Sequence, residues 1–174
     1  MPAAIYIASL AAYNAGLLIG AWATLDSDDA DENLETIEAT IAKLKAERPT
    51  DEEFVVHDYD DGINIGETSD WKRLAHLGAL LERVDPDHVK GIVSAVGEHY
   101  LPTDVDEAEE FIRDRFHGEY DSLEDWAYSY HEDRGTDLGA LAGHIDWEGV
   151  ARDLSHDYSV VEAGRGILIF NTNV

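Results

Sequence analysis

The sequence predicts an α+β protein, with antiparallel sheets toward the two ends of the chain and helices in the middle. Short strand-like runs joined by turn residues occur near both ends. Between them, apolar residues recur at steps of three and four, which is typical of amphipathic helices. Hydrophobic residues make up 44% of the chain, which is enough for a core and excludes a disordered acidic tail.

The first predicted domain spans residues 1–63 and opens with a hairpin. Strand-like runs at 5–8 and 18–22 flank the turn residues 14–16. Because the two runs are separated by so few residues, they are expected to pair in an antiparallel manner.

A helix and a third strand complete this domain. The helix is expected to begin after Asp28 or Asp29, either of which can cap it, and to end at Pro49. Residues 53–59 alternate weakly and predict a strand, which a turn at 60–62 closes. The order strand, strand, helix, strand indicates a small α+β unit.

The second predicted domain, residues 64–103, is helical. One helix is expected after Ser69, with leucines at helical spacing on its apolar face. A second helix is expected to start at Asp85-Pro86, a cap followed by a proline. Leu101-Pro102 is expected to end it.

The third predicted domain, residues 104–174, is again α+β. Three helices are expected, each with a capping residue before its start: Asp104, Ser122 and Asp146. A final hairpin is expected from runs at 158–161 and 166–170 around the turn residues 163–165.

The charge of the chain is strongly unbalanced. It contains 12 Lys and Arg against 38 Asp and Glu, for a formal net charge of −26. Such a charge destabilises a compact fold through self-repulsion, and solubility alone requires a magnitude of only roughly 2–8. Two explanations remain: a salt-loving host, or a positively charged partner. The same charge repels nucleic acid, so no nucleic-acid ligand is expected.

The cysteine content and the apolar stretches of the sequence indicate where the protein is located. The chain has no cysteine, which excludes a disulfide framework and a thiolate metal site. The apolar stretches at 5–12 and 16–24 are too short to span a bilayer, and no basic region precedes them as in a signal peptide. We therefore expect a cytoplasmic protein with no membrane partner.

No motif predicts catalysis or metal binding. With 38 carboxylates, close carboxylate pairs are certain to occur and say nothing about acid–base catalysis. The histidines form no HExxH motif, and the acidic segment at His57 fails the EF-hand template. Ser155-His156-Asp157 contains triad residue types, but triad members meet through the fold rather than by adjacency. We expect no enzyme activity, no metal and no cofactor.

The amount and grouping of the charge suit a stretch of DNA. Duplex DNA carries about one charge per 1.7 Å of axis, so 26 charges correspond to about 44 Å. A compact chain of 174 residues is about 40 Å across. The carboxylates are concentrated in the runs 26–38, 51–61 and 104–125, whereas a uniformly acidified surface would show less contrast.

These runs contain the residues that we predict to form a DNA-like acidic surface. In the first two runs they are Asp26, Asp28, Asp29, Asp31, Glu32, Glu35, Asp58, Asp60 and Asp61. In the third run they are Asp104, Asp106, Glu107, Glu109, Glu110, Asp114, Glu119, Asp121, Glu124 and Asp125.

Several segments resemble the ArdA antirestriction family. The opening hairpin, with residues 5–10, 13–16 and 20–22, matches the start of the family, and His57-Asp58-Tyr59-Asp60 resembles its acidic strand-end motif. The most specific match is Phe116-His117-Gly118-Glu119-Tyr120-Asp121-Ser122-Leu123-Glu124-Asp125-Trp126-Ala127. The segment 146–154 and the final hairpin also fit. One departure is that the family has a basic residue after the glycine of its opening motif, where this chain has Leu17-Leu18.

The resemblance implies an elongated protein of three small α+β domains that forms a homodimer. It implies that the acidic surface mimics bent duplex DNA and occupies the DNA-binding groove of type I restriction–modification enzymes. Incoming mobile DNA would then be protected from cleavage, with some inhibition of modification. The dimer contact is expected within residues 130–154, where the apolar candidates are Leu141, Ile145 and Trp147.

The alternative is a halophilic acidic α+β ligand-binding domain, or a small enzyme, unrelated to restriction. The distribution of charge discriminates between the two. Mimicry predicts a continuous acidic band, whereas adaptation to salt predicts acidic residues on all exposed faces.

Overall fold

The computed structural model describes residues 2–135, 139–164 and 166–172. In this part of the chain there are six strands: β1 (Ala3–Ser9), β2 (Gly20–Leu25), β3 (Phe54–Asp60), β4 (Phe116–Tyr120), β5 (Ser159–Ala163) and β6 (Gly166–Phe170). It also contains seven α-helices: α1 (Leu10–Asn14), α2 (Ala30–Glu47), α3 (Trp71–Arg83), α4 (Pro86–Val96), α5 (Val105–Arg115), α6 (Leu123–Asp133) and α7 (Trp147–Leu154). Short 3-10 segments span Glu98–Tyr100 and Gly139–His144.

Two antiparallel sheets, one toward each end of the sequence, confirm the predicted α+β class. The described residues form two compact units. The first contains those of Met1–Val89 and Leu101–Glu110, and the second those of Lys90–Tyr100 and Phe111–Val174. The division into three domains after residues 63 and 103 stays a prediction.

The sheet of the first unit has the strand order β2-β1-β3. Its inner face packs against α2 and α3 and forms the core. Alternation along β1 places Ile5 and Ile7 in this core, while Tyr6 between them points to the opposite face, as the period of two in a strand requires. From the helices, Ile37 and Leu74 complete the packing. Burying such side chains contributes roughly 1.5–3 kcal/mol each.

The connection between β1 and β2 differs from the predicted tight turn. The Ala12 N–H donates to Ser9 Oγ at 3.1 Å, which caps the short helix α1 inside the hairpin. The second strand therefore starts at Gly20 rather than residue 18 and continues to Leu25. The predicted strand pairing itself is confirmed, with Tyr6 opposite Trp22.

The helical middle begins close to the predicted position but its second helix ends earlier than predicted. Helix α3 begins after Ser69, as predicted, and Asp70 caps it, since the Asp70 carboxylate accepts the Arg73 N–H at 3.1 Å. The next helix ends before Gly97, whose φ of +94° suits glycine at a helix end. The predicted stop at residues 101–102 was therefore several residues too late.

The sheet of the second unit has the order β4-β6-β5. The predicted final hairpin, β5 with β6, is confirmed; of its predicted turn, Arg165 lies outside the described residues. Sequence patterning missed β4, which is short, contains Gly118 and has an irregular register at that glycine. Strand β6 lies between the other two and buries Leu168, Ile169 and Phe170.

Candidate functional site

The predicted acidic residues lie on the surface of the protein. Of the nineteen, all but Glu109 are exposed, and the side chain of Glu109 is 36% exposed. Carboxylates in water keep their hydration, so exposure spares these side chains the cost of burying a charge. Exposure alone is expected of acidic residues; what distinguishes a site is how the carboxylates are grouped.

The first group stands at the N-terminus of α2. Asp29 caps the helix, its carboxylate accepting the Asp31 N–H at 2.8 Å. Asp31 and Glu32 occupy the first turn, where the helix dipole stabilises negative charge. The Ser27 hydroxyl donates to Glu32 at 2.7 Å. The capping hydrogen bond, the helix dipole and the Ser27 hydroxyl therefore offset the repulsion between these neighbouring negative charges.

Asn33 fixes the segment that carries this group. The side chain is 1% exposed. Its amide donates to the Ser27 carbonyl at 2.9 Å and to the Ala75 carbonyl of α3 at 3.3 Å. The Ser27 N–H donates back to the amide oxygen at 3.2 Å. Asn33 was not among the predicted residues, although a polar residue on the apolar side of a helix pattern is a usable signal.

A groove of the first unit joins this group to the start of the third acidic run. It has a volume of about 400 Å³. Five carboxylates line it, together with two potentially cationic side chains from α3. The lining residues include Asp28, Asp29, Asp31, Asp104, Asp106, His76 and Arg83. Folding thus brings together carboxylates that lie more than 70 positions apart in the sequence.

Arg73 fixes the segment before Asp104, which is one of the residues that line this groove. Its guanidinium donates to the Pro102 carbonyl at 2.8 Å and to the Leu101 carbonyl at 3.1 Å. Asp104 follows directly and accepts the Glu107 N–H at 3.0 Å, as its predicted capping role requires. The buried Arg73 is a positioning residue that sequence analysis missed.

Arg83 partly neutralises the far side of the groove. Its guanidinium lies 2.5 Å from Asp106 and 2.7 Å from Glu109. These hydrogen bonds, first to Asp106 and then to Glu109, raise the pKa of Arg83 above its usual value. Two of the predicted surface residues, Asp106 and Glu109, are therefore already paired with a cationic side chain of the same unit.

Another group of acidic residues lies at the end of β3. Asp58 and Asp60 are exposed on the face of the sheet opposite the core. Asp61 has a φ of +54° in the predicted turn, a left-handed conformation that aspartate tolerates better than most residues. The acidic strand end is therefore built as the sequence indicated.

In the second unit the acidic residues surround β4 and the start of α6. Glu119 lies on β4, and Asp121 follows it. Ser122 and Asp125 form the predicted reciprocal cap: the Asp125 N–H donates to Ser122 Oγ at 3.1 Å, and the Ser122 hydroxyl donates to the Asp125 carboxylate at 2.7 Å. Glu124 is exposed in the same first turn.

Asp51 belongs to the second acidic run but not to the surface. Its side chain is 4% exposed and pairs with Arg48. The Ser9 hydroxyl donates to the same carboxylate at 2.5 Å. The hydrogen bond from Arg48, followed by that from Ser9, lowers the pKa of Asp51. This carboxylate stabilises the junction of β1 and α1.

The residues predicted for a dimer contact differ in exposure. Leu141 is 68% exposed on the 3-10 segment. Ile145 and Trp147 are partly buried. The Trp147 ring packs edge-on against Tyr128 at 5.4 Å and also lies 6.2 Å from His131, which joins α7 to α6. Trp147 therefore has a packing role within the second unit.

Ser155, in the segment that contains triad residue types, has a structural role. Ser155 ends α7, and its hydroxyl donates to the Arg152 carbonyl at 2.8 Å. Within residues 2–135, 139–164 and 166–172, no cluster of three or more His, Asp or Glu side chains has a geometry suited to a metal ion. No helix in the described part of the chain combines the length and apolar character needed to cross a membrane.

The fold and the surface together define a class: a small, acidic α+β protein whose exposed carboxylates are grouped at helix starts and strand ends. Within that class, the chain belongs to the ArdA antirestriction protein family, whose model matches residues 5–168. No curated protein matches the chain. Membership of this family indicates an antirestriction function and confirms the predicted resemblance to the family.

Proposed function

We propose that this antirestriction protein acts by imitating duplex DNA and blocking the DNA-binding groove of type I restriction–modification enzymes. The observation that carries the proposal is the joining of two acidic runs in one groove lined by five carboxylates. In DNA complexes, Lys and Arg contacts to phosphates supply a large share of affinity. Carboxylates displayed in place of phosphates would use the same contacts.

The distribution of charge favours mimicry over adaptation to salt. Residues 1–25 contain no charged side chain, yet Tyr13, Leu17, Leu18 and Trp22 in that stretch are 47–78% exposed. General acidification would have replaced such exposed positions with acidic residues. The halophilic alternative therefore gains no support from this part of the surface.

Imitation of DNA requires no catalysed reaction, so we propose that the protein is not an enzyme. We propose that it acts in the cytoplasm and inhibits by binding the restriction enzyme stoichiometrically. The experiment is a titration of a purified type I enzyme with the protein, followed by addition of unmodified duplex DNA. Inhibition should be complete near equimolar protein and should be reversed by excess DNA. Catalytic inactivation of the enzyme by substoichiometric protein would contradict the proposal.

We also propose a homodimer that contacts itself through residues 130–154. The exposed Leu141 supplies apolar area for such a contact. Sedimentation at micromolar concentration and moderate salt should show a dimer, and Leu141→Glu should shift it toward monomer because a buried like-charge pair is costly. The matched control is Leu18→Glu, an exposed leucine outside the proposed contact. A wild-type monomer, or equal effects of the two variants, would contradict this assignment.

A further inference from the structure

The outer face of the first sheet carries an aromatic pair beside an acidic residue in one cross-strand row. Tyr6 on β1 lies opposite Trp22 on β2 and opposite Asp58 on β3. Side chains of directly opposite residues on one face have Cβ atoms about 4.5–5.5 Å apart. The row therefore presents two rings and a carboxylate side by side.

The aromatic part of the row is held in place by its neighbours. The Tyr6 and Trp22 ring centroids are 5.3 Å apart, with their planes inclined by 55°. A Cβ atom at Gly20 would lie 2.8 Å from Tyr6 Cζ, so the absence of a side chain there makes room for the tyrosine ring. Trp22 is 47% exposed and belongs to the edge strand β2. An incoming group can therefore reach the indole.

The acidic part of the row is available to a cation. Asp58 is exposed, and one carboxylate oxygen accepts the Tyr59 N–H at 2.9 Å. Among the residues that the structure describes, Asp58 forms no ion pair. A group that satisfies the whole row must be cationic, planar enough to stack on a ring and able to donate hydrogen bonds to a carboxylate.

We infer that this row, Trp22, Tyr6 and Asp58, is a recognition site for an arginine side chain of the protein partner. Guanidinium stacks on aromatic faces and donates to carboxylates in a fixed planar geometry, whereas ammonium is a compact, strongly hydrated charge. The inference rests on the proposed function, because arginines that contact DNA phosphates are what a DNA mimic must engage. The inference adds a preference for arginine over lysine, which attraction between opposite charges alone does not supply.

The next row along the same sheet is a built-in control. Asp60 lies on the same strand and face as Asp58, but the residue opposite it is Ala4, whose other neighbour is Thr24. Asp58→Asn and Asp60→Asn remove the same charge. Only the first removes a carboxylate that lies directly opposite a member of the aromatic pair, Tyr6.

The test uses the full-length ¹⁵N-labelled protein with tri-arginine amide and tri-lysine amide as probes. The indole N–H signals of the four tryptophans report binding, with the buried Trp126 as an internal reference. We expect the Trp22 signal to shift and the arginine peptide to bind roughly two- to fivefold more tightly, the range for exposed cation–π contacts. Trp22→Leu and Asp58→Asn should remove this preference, and Asp60→Asn should keep it.

Equal affinity for the two peptides, or equal loss of the preference in both aspartate variants, would overturn the inference. The amide spectrum of each variant establishes that it is folded. A parallel titration of the type I enzyme separates the two proposals. If the wild type inhibits the enzyme but Asp58→Asn matches Asp60→Asn in both assays, the arginine site fails and DNA mimicry stands. If the wild type does not inhibit while the arginine preference holds, the proposed function fails instead.

Discussion

At the scale of single residues, Asp51 shows that a carboxylate of an acidic run can stabilise the fold rather than belong to the exposed acidic surface. It is buried between Ser9 and Arg48, which also connect the first strand to the end of α2. Breaking such a pair leaves the remaining charged or polar group without its partner, which is strongly unfavourable. In a chain with 38 acidic residues, burial and pairing therefore decide which charges are structural.

We predict that Asp51→Asn lowers the melting temperature at neutral pH. Since the pKa of Asp51 is lowered in the folded state, its stabilisation is fully present above the usual value of 3.8 and is lost as the pH falls through the folded pKa. The gap between wild type and variant should therefore be largest at neutral pH and shrink below pH 3.8. Thermal scans from neutral to acidic pH measure this.

The matched control is Glu52→Gln, which removes a neighbouring charge at an exposed position. It should leave the melting temperature nearly unchanged, since exposed charges contribute little. A gap for Asp51→Asn that stays constant into strong acid would show that the ion pair is not its cause.

At the scale of elements, close packing of α3 on β2 supports the acidic groove. A Cβ atom at Gly78 would lie 2.6 Å from Leu25 Cβ and 3.2 Å from Asn33 Nδ2. Gly78 thus permits the approach that lets Asn33 bridge Ser27 and α3. The close packing of α3 on β2 therefore also determines where the first acidic group lies.

Gly78→Ala is expected to destabilise the first unit by about 1–3 kcal/mol, the usual cost of overpacking a core. Chemical denaturation measures it. Gly62→Ala is the control, because a Cβ there would make only an ordinary 3.8 Å contact with Ala3. Equal stability of the two variants would contradict the described approach of helix and strand.

How far the sequence predicted these elements depended on the length and regularity of each pattern. Helix α2 was predicted because apolar spacing and capping chemistry agree over many residues, and the structure selects Asp29 from the two predicted cap candidates, Asp28 and Asp29. Strand β4 was missed because five residues interrupted by a glycine show no alternation, and its pairing with β6 is a long-range contact. The role of the acidic residues as a binding surface stays a prediction. The approach of two acidic runs in one groove was not predicted, because it depends on tertiary hydrogen bonds of Arg73 and Asn33.

At the scale of the whole molecule, salt distinguishes a DNA mimic from a halophilic protein. DNA binding gains free energy by releasing counterions condensed on its phosphates. Discrete carboxylates condense fewer ions, so binding of this protein to a type I enzyme should weaken with salt less steeply than binding of DNA. Screening of surface charges over about 10 Å at 0.1 M still requires some weakening.

The expected result is that the protein displaces DNA more effectively as salt rises from roughly 0.05 to 0.3 M, a range in which surface charges are progressively screened. Calorimetric affinities for the enzyme, with melting curves at each salt concentration, measure this. A protein that unfolds at low salt and whose binding is salt-independent would contradict mimicry and favour halophily.

The central claim is that the location of the carboxylates, rather than the total charge, produces inhibition. Two variants with the same loss of six charges test it. One neutralises, with Asn or Gln, residues of the groove, of the helix start that follows it and of the segment that precedes α2: Asp26, Asp28, Asp29, Asp31, Asp104 and Glu107. The other neutralises exposed acidic residues outside the predicted surface: Glu47, Glu82, Asp87, Glu132, Asp153 and Glu162. Asparagine retains helix capping at Asp29 and Asp104, so both variants should fold.

The measurement is the inhibition constant of each variant against one type I enzyme with duplex DNA as competitor. If each lost contact costs at least about 0.3 kcal/mol, as surface charge pairs do, six should weaken inhibition by more than about tenfold. The first variant should show this loss, and the second should remain within about threefold of wild type. Equal weakening of the two folded variants would contradict the claim that these carboxylates form the inhibitory surface.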